Sequence, residues 1–198
     1  MKAYIFKVEL LDTKPLIWRK FAVPADITFL RLHDPLQYVM GWYNCHLHKF
    51  AFEDIDTYFT NDREDVEETK FLKEHYKNKV LDQKDSEYPF IKRRLERQVY
   101  ASSPAKIDKY MKPGVTFSYE YDFGDSWVHT IELEKLLPAD STQTLPVCVA
   151  GKMNCPPEDC GGVWGYATML EVLQQPKHPE YEYYSEFVDK DFDPTEFD

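Results

Sequence analysis

Positive charge is scarce in this chain. Lysine and arginine number 24 against 35 aspartates and glutamates, a net charge of −11 over 198 residues. Such a surface repels a phosphate backbone, which excludes sequence-blind nucleic-acid binding by the molecule as a whole. Long apolar runs are missing too. No stretch approaches the roughly 20 residues a membrane helix needs, and Met1 to Lys7 has no signal-peptide core. The four cysteines, Cys45, Cys148, Cys155 and Cys160, are therefore expected to be reduced thiols of a cytoplasmic protein with no membrane partner. There is no Gly-rich phosphate loop, no nucleophile elbow and no pair of close cysteine knuckles, so the sequence offers none of the standard signatures of nucleotide hydrolysis, serine hydrolysis or a zinc finger.

What the chain has is aromatic and apolar mass, 16% and 43% of its residues, enough for a sizeable core. Residues 2–11 alternate: Tyr4, Phe6, Val8 and Leu10 share one face of an expected strand. A second strand follows from Leu16 to Val23 and ends at Pro24. Thr28 reads as an N-cap, with Phe29, Leu32, Leu36, Val39 and Met40 at helical spacing and Gly41 as the stop. Pro35 is an awkward guest inside that helix. Residues 42–53 read as a strand carrying His46, His48, Phe50 and Phe52 on one face. Residues 61–112 form a charged, mainly helical insertion, in which Ile91, Leu95 and Val99 make a buried stripe. Its basic residues Lys92, Arg93, Arg94 and Arg97 read either as a solvated face or as a nucleic-acid contact.

The densest patterning lies at Tyr119 to Leu133. It reads as a hairpin whose turn is built from Asp122, Gly124, Asp125 and Ser126. Trp127, His129, Ile131 and Leu133 share the apolar face of the second strand. Residues 138–144 form a polar loop. Residues 146–166, with Cys155-Pro156-Pro157-Glu158-Asp159-Cys160-Gly161-Gly162 at their centre, read as an irregular loop, and helical structure is expected over 163–188.

These segments supply the candidate chemistry, and the expected pocket is where the H-x-H pair, the D-F-G-D turn and the C-P-P-E-D-C loop meet. His46 and His48 at i and i+2 in a strand would lie roughly 6–7 Å apart, close enough to share a metal ion with His129; a hydrogen-bonded pair at a sheet edge and, for His129, a hydrogen-bonded core residue are the competing readings. Asp122, Asp125, Glu158 and Asp159 are candidate catalytic or ligating carboxylates; for Asp122 and Asp125 turn chemistry is the competing reading. Cys148, Cys155 and Cys160 are a looser metal candidate, against plain buried thiols. A divalent metal such as zinc is the cofactor such ligands suit.

Taken together and in order, Lys14-Pro15-Leu16-Ile17-Trp18-Arg19, Gly41-Trp42, His46-Leu47-His48-Lys49-Phe50, Tyr119 to His129, the C-P-P-E-D-C-G-G loop and Phe192-Asp193-Pro194 resemble the plasmid pRiA4b ORF-3-like family over nearly the whole chain. The resemblance implies an α+β fold and association with plasmids and mobile elements. The expectation is a single α+β domain over 1–198, with a largely antiparallel sheet and the insertion at about 61–112. Its expected role is that of a binding or accessory module with a protein partner rather than nucleic acid. The alternative is a metal-dependent hydrolase acting on phosphodiesters through a His/Asp site.

Overall fold

The computed structural model describes residues 2–79, 81–138 and 144–197. Its frame is one eight-stranded sheet. The strands are β1 (Lys2–Leu10), β2 (Ile17–Pro24), β3 (His48–Phe52), β4 (Thr57–Thr60), β5 (Gln98–Ala101), β6 (Thr116–Tyr121), β7 (Trp127–Pro138) and β8 (Val147–Lys152). Their order across the sheet is β5-β4-β3-β6-β7-β1-β2-β8. All neighbours are antiparallel except β4 and β5. Five helices accompany it: α1 (Phe29–Met40), α2 (Arg63–Tyr76), α3 (Tyr88–Glu96), α4 (Gly162–Leu173) and α5 (Tyr181–Ser185). The fold is α+β.

Local chemistry explains the elements the alternation predicts. Phe6, Val8 and Leu10 of β1 and Ile17, Phe21 and Val23 of β2 are buried, while Lys7, Glu9 and Lys20 face outward, where Lys7 pairs with Glu9 and Lys20 with Glu134. The Thr28 hydroxyl accepts the Arg31 N–H and caps α1, and Gly41 ends it in the left-handed conformation. Pro35 lies inside α1 and is buried.

The core fills the space between the sheet and α1 and α4. Phe29 of α1 stacks on Phe59 with ring centroids 4.0 Å apart, and Phe52 stacks on Phe117 at 4.8 Å. Each fully buried phenylalanine contributes about 1.5–3 kcal/mol, so this cluster holds α1 against β3, β4 and β6.

Three stretches differ from expectation. Residues 42–47 are loop, and β3 begins only at His48. Val99 belongs to the four-residue strand β5 rather than to a helix; its pairing with Tyr58 of β4 buries it as well as a helical stripe would. Val147 to Lys152, read as loop, form edge strand β8 against β2. The polar loop expected over 138–144 lies mostly outside the described residues.

Candidate functional site

Three loops meet at one end of the sheet: residues 42–47 before β3, the β6–β7 turn, and the segment from Asn154 to Gly162 before α4. Tyr121, the last residue of β6, ties them together. Its hydroxyl accepts the Cys45 N–H at 3.0 Å and donates to Glu158 Oε1. The other oxygen of Glu158 accepts the Tyr43 N–H at 2.8 Å. Burial, then the bond to the Glu158 carboxylate, pushes the Tyr121 phenol well above its ordinary pKa, so it stays a donor. Trp42 Nε1–H donates to Pro156 O at 2.9 Å, and Asp125 Oδ2 accepts the Gly161 N–H at 3.1 Å.

Two glycines make the closeness possible. A Cβ on Gly162 would lie 2.4 Å from Asp125 O, and one on Gly165 would lie 1.9 Å from Cys160 O. Both contacts are with backbone, so no side chain can move aside to admit a methyl group.

At this junction His46, Asp122 and Asp159 face one another. Their ligand atoms all lie within 4.8 Å of each other, and they are the one such cluster of three or more His, Cys, Asp or Glu among the described residues. His46 Nε2 is 3.1 Å from Asp159 Oδ1 and 3.7 Å from Asp122 Oδ2. This nitrogen is shut off from solvent and makes no hydrogen bond. Ligand distances of about 2.0–2.2 Å require donor atoms roughly 3–3.5 Å apart, so a small closure of the carboxylates would hold a divalent ion. Asp122 performs both tasks considered for it. Its Oδ1 accepts the Gly124 N–H of the turn at 2.9 Å while its Oδ2 faces His46.

His48 and His129 are not part of this cluster. His48 is the first residue of β3 and is fully buried, stacked on His33. His129 is fully buried on β7, with Nδ1 donating to Tyr119 O at 3.2 Å. Because the strand starts at His48, the period of two does not extend back to His46, which swings out to the loops. Burial holds His48 down to about pKa 3, with neighbouring His33 as a further cause, and His129 down to about 4. The cysteines do not assemble a metal site either. Cys148 is exposed on β8, Cys155 Sγ accepts from Arg19 Nη2 at 2.9 Å, and Cys160 is buried beside α4. Burial raises the Cys155 thiol to about 11 and the Cys160 thiol to about 12, and none of the three belongs to the ligand cluster found among the described residues.

Glu158 and Asp125 are committed to holding the loops. Behind them runs a hydrogen-bonded ring that has no signature in the residue pattern. His33 Nε2 donates to Asn44 Oδ1 at 2.7 Å, and the Tyr119 hydroxyl donates to His33 Nδ1 at 2.8 Å. Gln37 Nε2 donates to that hydroxyl at 3.0 Å, and Asn44 N–H donates to Gln37 Oε1 at 2.9 Å. It fixes the loop leading to His46 against α1. On the far side of the sheet, Arg94 pairs with Asp65 and Glu68, Arg97 with Asp56, and Lys92 with Glu96. Three of the four basic residues considered for nucleic acid are thus spent on internal ion pairs.

Comparison with known proteins gives a consistent picture. The family model described as plasmid pRiA4b ORF-3-like protein matches residues 2–198. The chain is 33% identical over 175 residues to uncharacterized protein y4hQ of Sinorhizobium fredii, covering 88% of this chain and 75% of that protein. A crystal structure of a protein of unknown function from Methanosarcina mazei Go1 aligns with a TM-score of 0.72 at 35% identity, covering 100% of this chain and 95% of the other.

Proposed function

The chain belongs to the plasmid pRiA4b ORF-3-like protein family, and within it we propose that this protein is a divalent-cation-binding accessory module with His46, Asp122 and Asp159 as its protein ligands. One observation carries the reading: a solvent-shielded imidazole nitrogen without a hydrogen-bond partner lies between two carboxylates supplied by separate loops. One nitrogen and two carboxylate oxygens suit zinc or manganese. With Asp159 largely exposed, a bound ion would present open coordination positions to solvent and so to the acidic or carbonyl groups of a partner protein. The commitment of Glu158 and Asp125 to loop contacts leaves neither as a dedicated general base, which favours binding over turnover.

A metal-dependent hydrolase acting on phosphodiesters is the second reading. It rests on the ligand count, since three protein ligands with a position left for water is the pattern of catalytic rather than structural zinc. Elemental analysis of metal-stripped and reloaded protein, followed by assay on bis(p-nitrophenyl) phosphate, separates the two. One equivalent of metal without turnover supports the module. Turnover abolished in His46→Ala establishes the hydrolase, and failure to retain metal overturns both.

A further inference from the structure

Beside the loop junction, a cavity of about 590 Å³ opens between the β1–β2 turn and α4. Its volume is that of a small-molecule or side-chain site. Leu11, Val128 and Leu170 are among its apolar lining. Trp164 also lines it, 87% exposed although the neighbouring α4 residues Tyr166 and Met169 are buried. Asp12 and Asp125 supply two carboxylates to the wall, and Lys14 supplies one ammonium. Asp125 also accepts the Gly161 N–H through Oδ2. Lys14 makes no ion pair among the described residues.

We propose that this cavity binds a flat organic cation of the guanidinium type, its plane against the Trp164 indole and its charge toward Asp12 and Asp125. A flat cation on an exposed indole is drawn to the ring's negative face. Two carboxylates against one ammonium leave the cavity net negative, within a chain of net charge −11, and an anion would meet repulsion from both aspartates. The chain uses the same chemistry internally: the Arg97 guanidinium lies 4.2 Å over the Tyr58 ring, and that of Arg19 lies 4.6 Å over Phe197. The inference does not depend on the metal reading.

The test is calorimetric titration of the full, metal-stripped chain with Nα-acetyl-arginine amide, using Nα-acetyl-citrulline amide as the uncharged control of the same shape. Saturable binding of the arginine compound alone is expected. Affinity should fall about tenfold in Trp164→Leu and about fivefold in Asp12→Asn. It should rise a few-fold in Lys14→Gln, which removes the opposing charge. All three side chains are exposed, so these variants keep the fold, and circular dichroism verifies it. Equal binding of citrulline, indifference to Trp164→Leu, or weakening by Lys14→Gln overturns the proposal. Methylguanidine binding as tightly as the amide identifies the source as a free guanidine, and at least tenfold weaker binding of methylguanidine identifies it as an arginine within a polypeptide.

Discussion

His33 of α1 and His48 of β3 stack face to face in the core, ring centroids 3.7 Å apart and planes 11° from parallel. Neither ring can accept a proton without placing a charge in the buried interior, and the pKa values of both are depressed. His129 is held neutral in the same way. Above the ordinary histidine pKa of about 6.5, folded and unfolded chains are alike neutral at these sites. Below it, the unfolded chain takes protons that the folded one refuses, so stability falls as pH drops toward 4. Each histidine contributes up to about 1.4 kcal/mol per pH unit in that window. Urea denaturation from pH 7.5 to 4.5 should show this fall, and His48→Phe should flatten it. A pH-independent midpoint would contradict the assignment.

Tyr121→Phe removes one oxygen and strands two partners, the Glu158 carboxylate and the Cys45 N–H. Leaving such groups without partners costs about 2–3 kcal/mol. The expected result is that loss in equilibrium unfolding, together with weaker metal retention, because the loop bearing His46 is no longer held. An unchanged unfolding midpoint would show that water replaces the hydroxyl.

Gly162→Ala drives a methyl group into Asp125 O, at a residue whose φ is +67°. The backbone must move, so the loop carrying Asp159 separates from the turn carrying Asp122. Limited proteolysis should cut the variant near residues 154–162 while wild type resists. Because the collision lies outside the main core, the sheet should keep its circular-dichroism signal.

Arg94→Ala removes both links from α3 to α2, each 2.7 Å long and made by a mostly buried guanidinium. Hydrogen exchange should quicken across α2 and α3 and leave β1, β2 and β7 protected. Metal binding should be unaffected, since the pair lies across the sheet from His46.

The parts legible in the sequence are those where one local rule acts alone. Period-two burial gave β1 and β2, and a threonine cap with a terminal glycine bounded α1 within a residue. Strand β4 had no reading at all, and β5 and β8 escaped for physical reasons. In β5 only Val99 is buried, and one buried residue fits a helical stripe as well as a strand. β8 is an edge strand with Val147, Cys148 and Val149 all exposed, so no alternation survives. At the site, His46, Asp122 and Asp159 were each visible as candidates. The meeting of the three segments that carry them was legible as well; which side chains face one another there was not, because that depends on where β3 begins and on Tyr121 reaching across to Glu158. For His48 and His129 the ligand and core readings both fit the sequence, because an imidazole in an apolar pattern carries no mark distinguishing the two; burial decides for the core.

Calorimetric titration of the metal-stripped chain with zinc or manganese, in wild type and in His46→Ala, tests the central claim. One ion per wild-type chain is expected, with affinity at least tenfold weaker once the imidazole is gone. Stoichiometric binding undiminished in His46→Ala, or none in wild type, would contradict it.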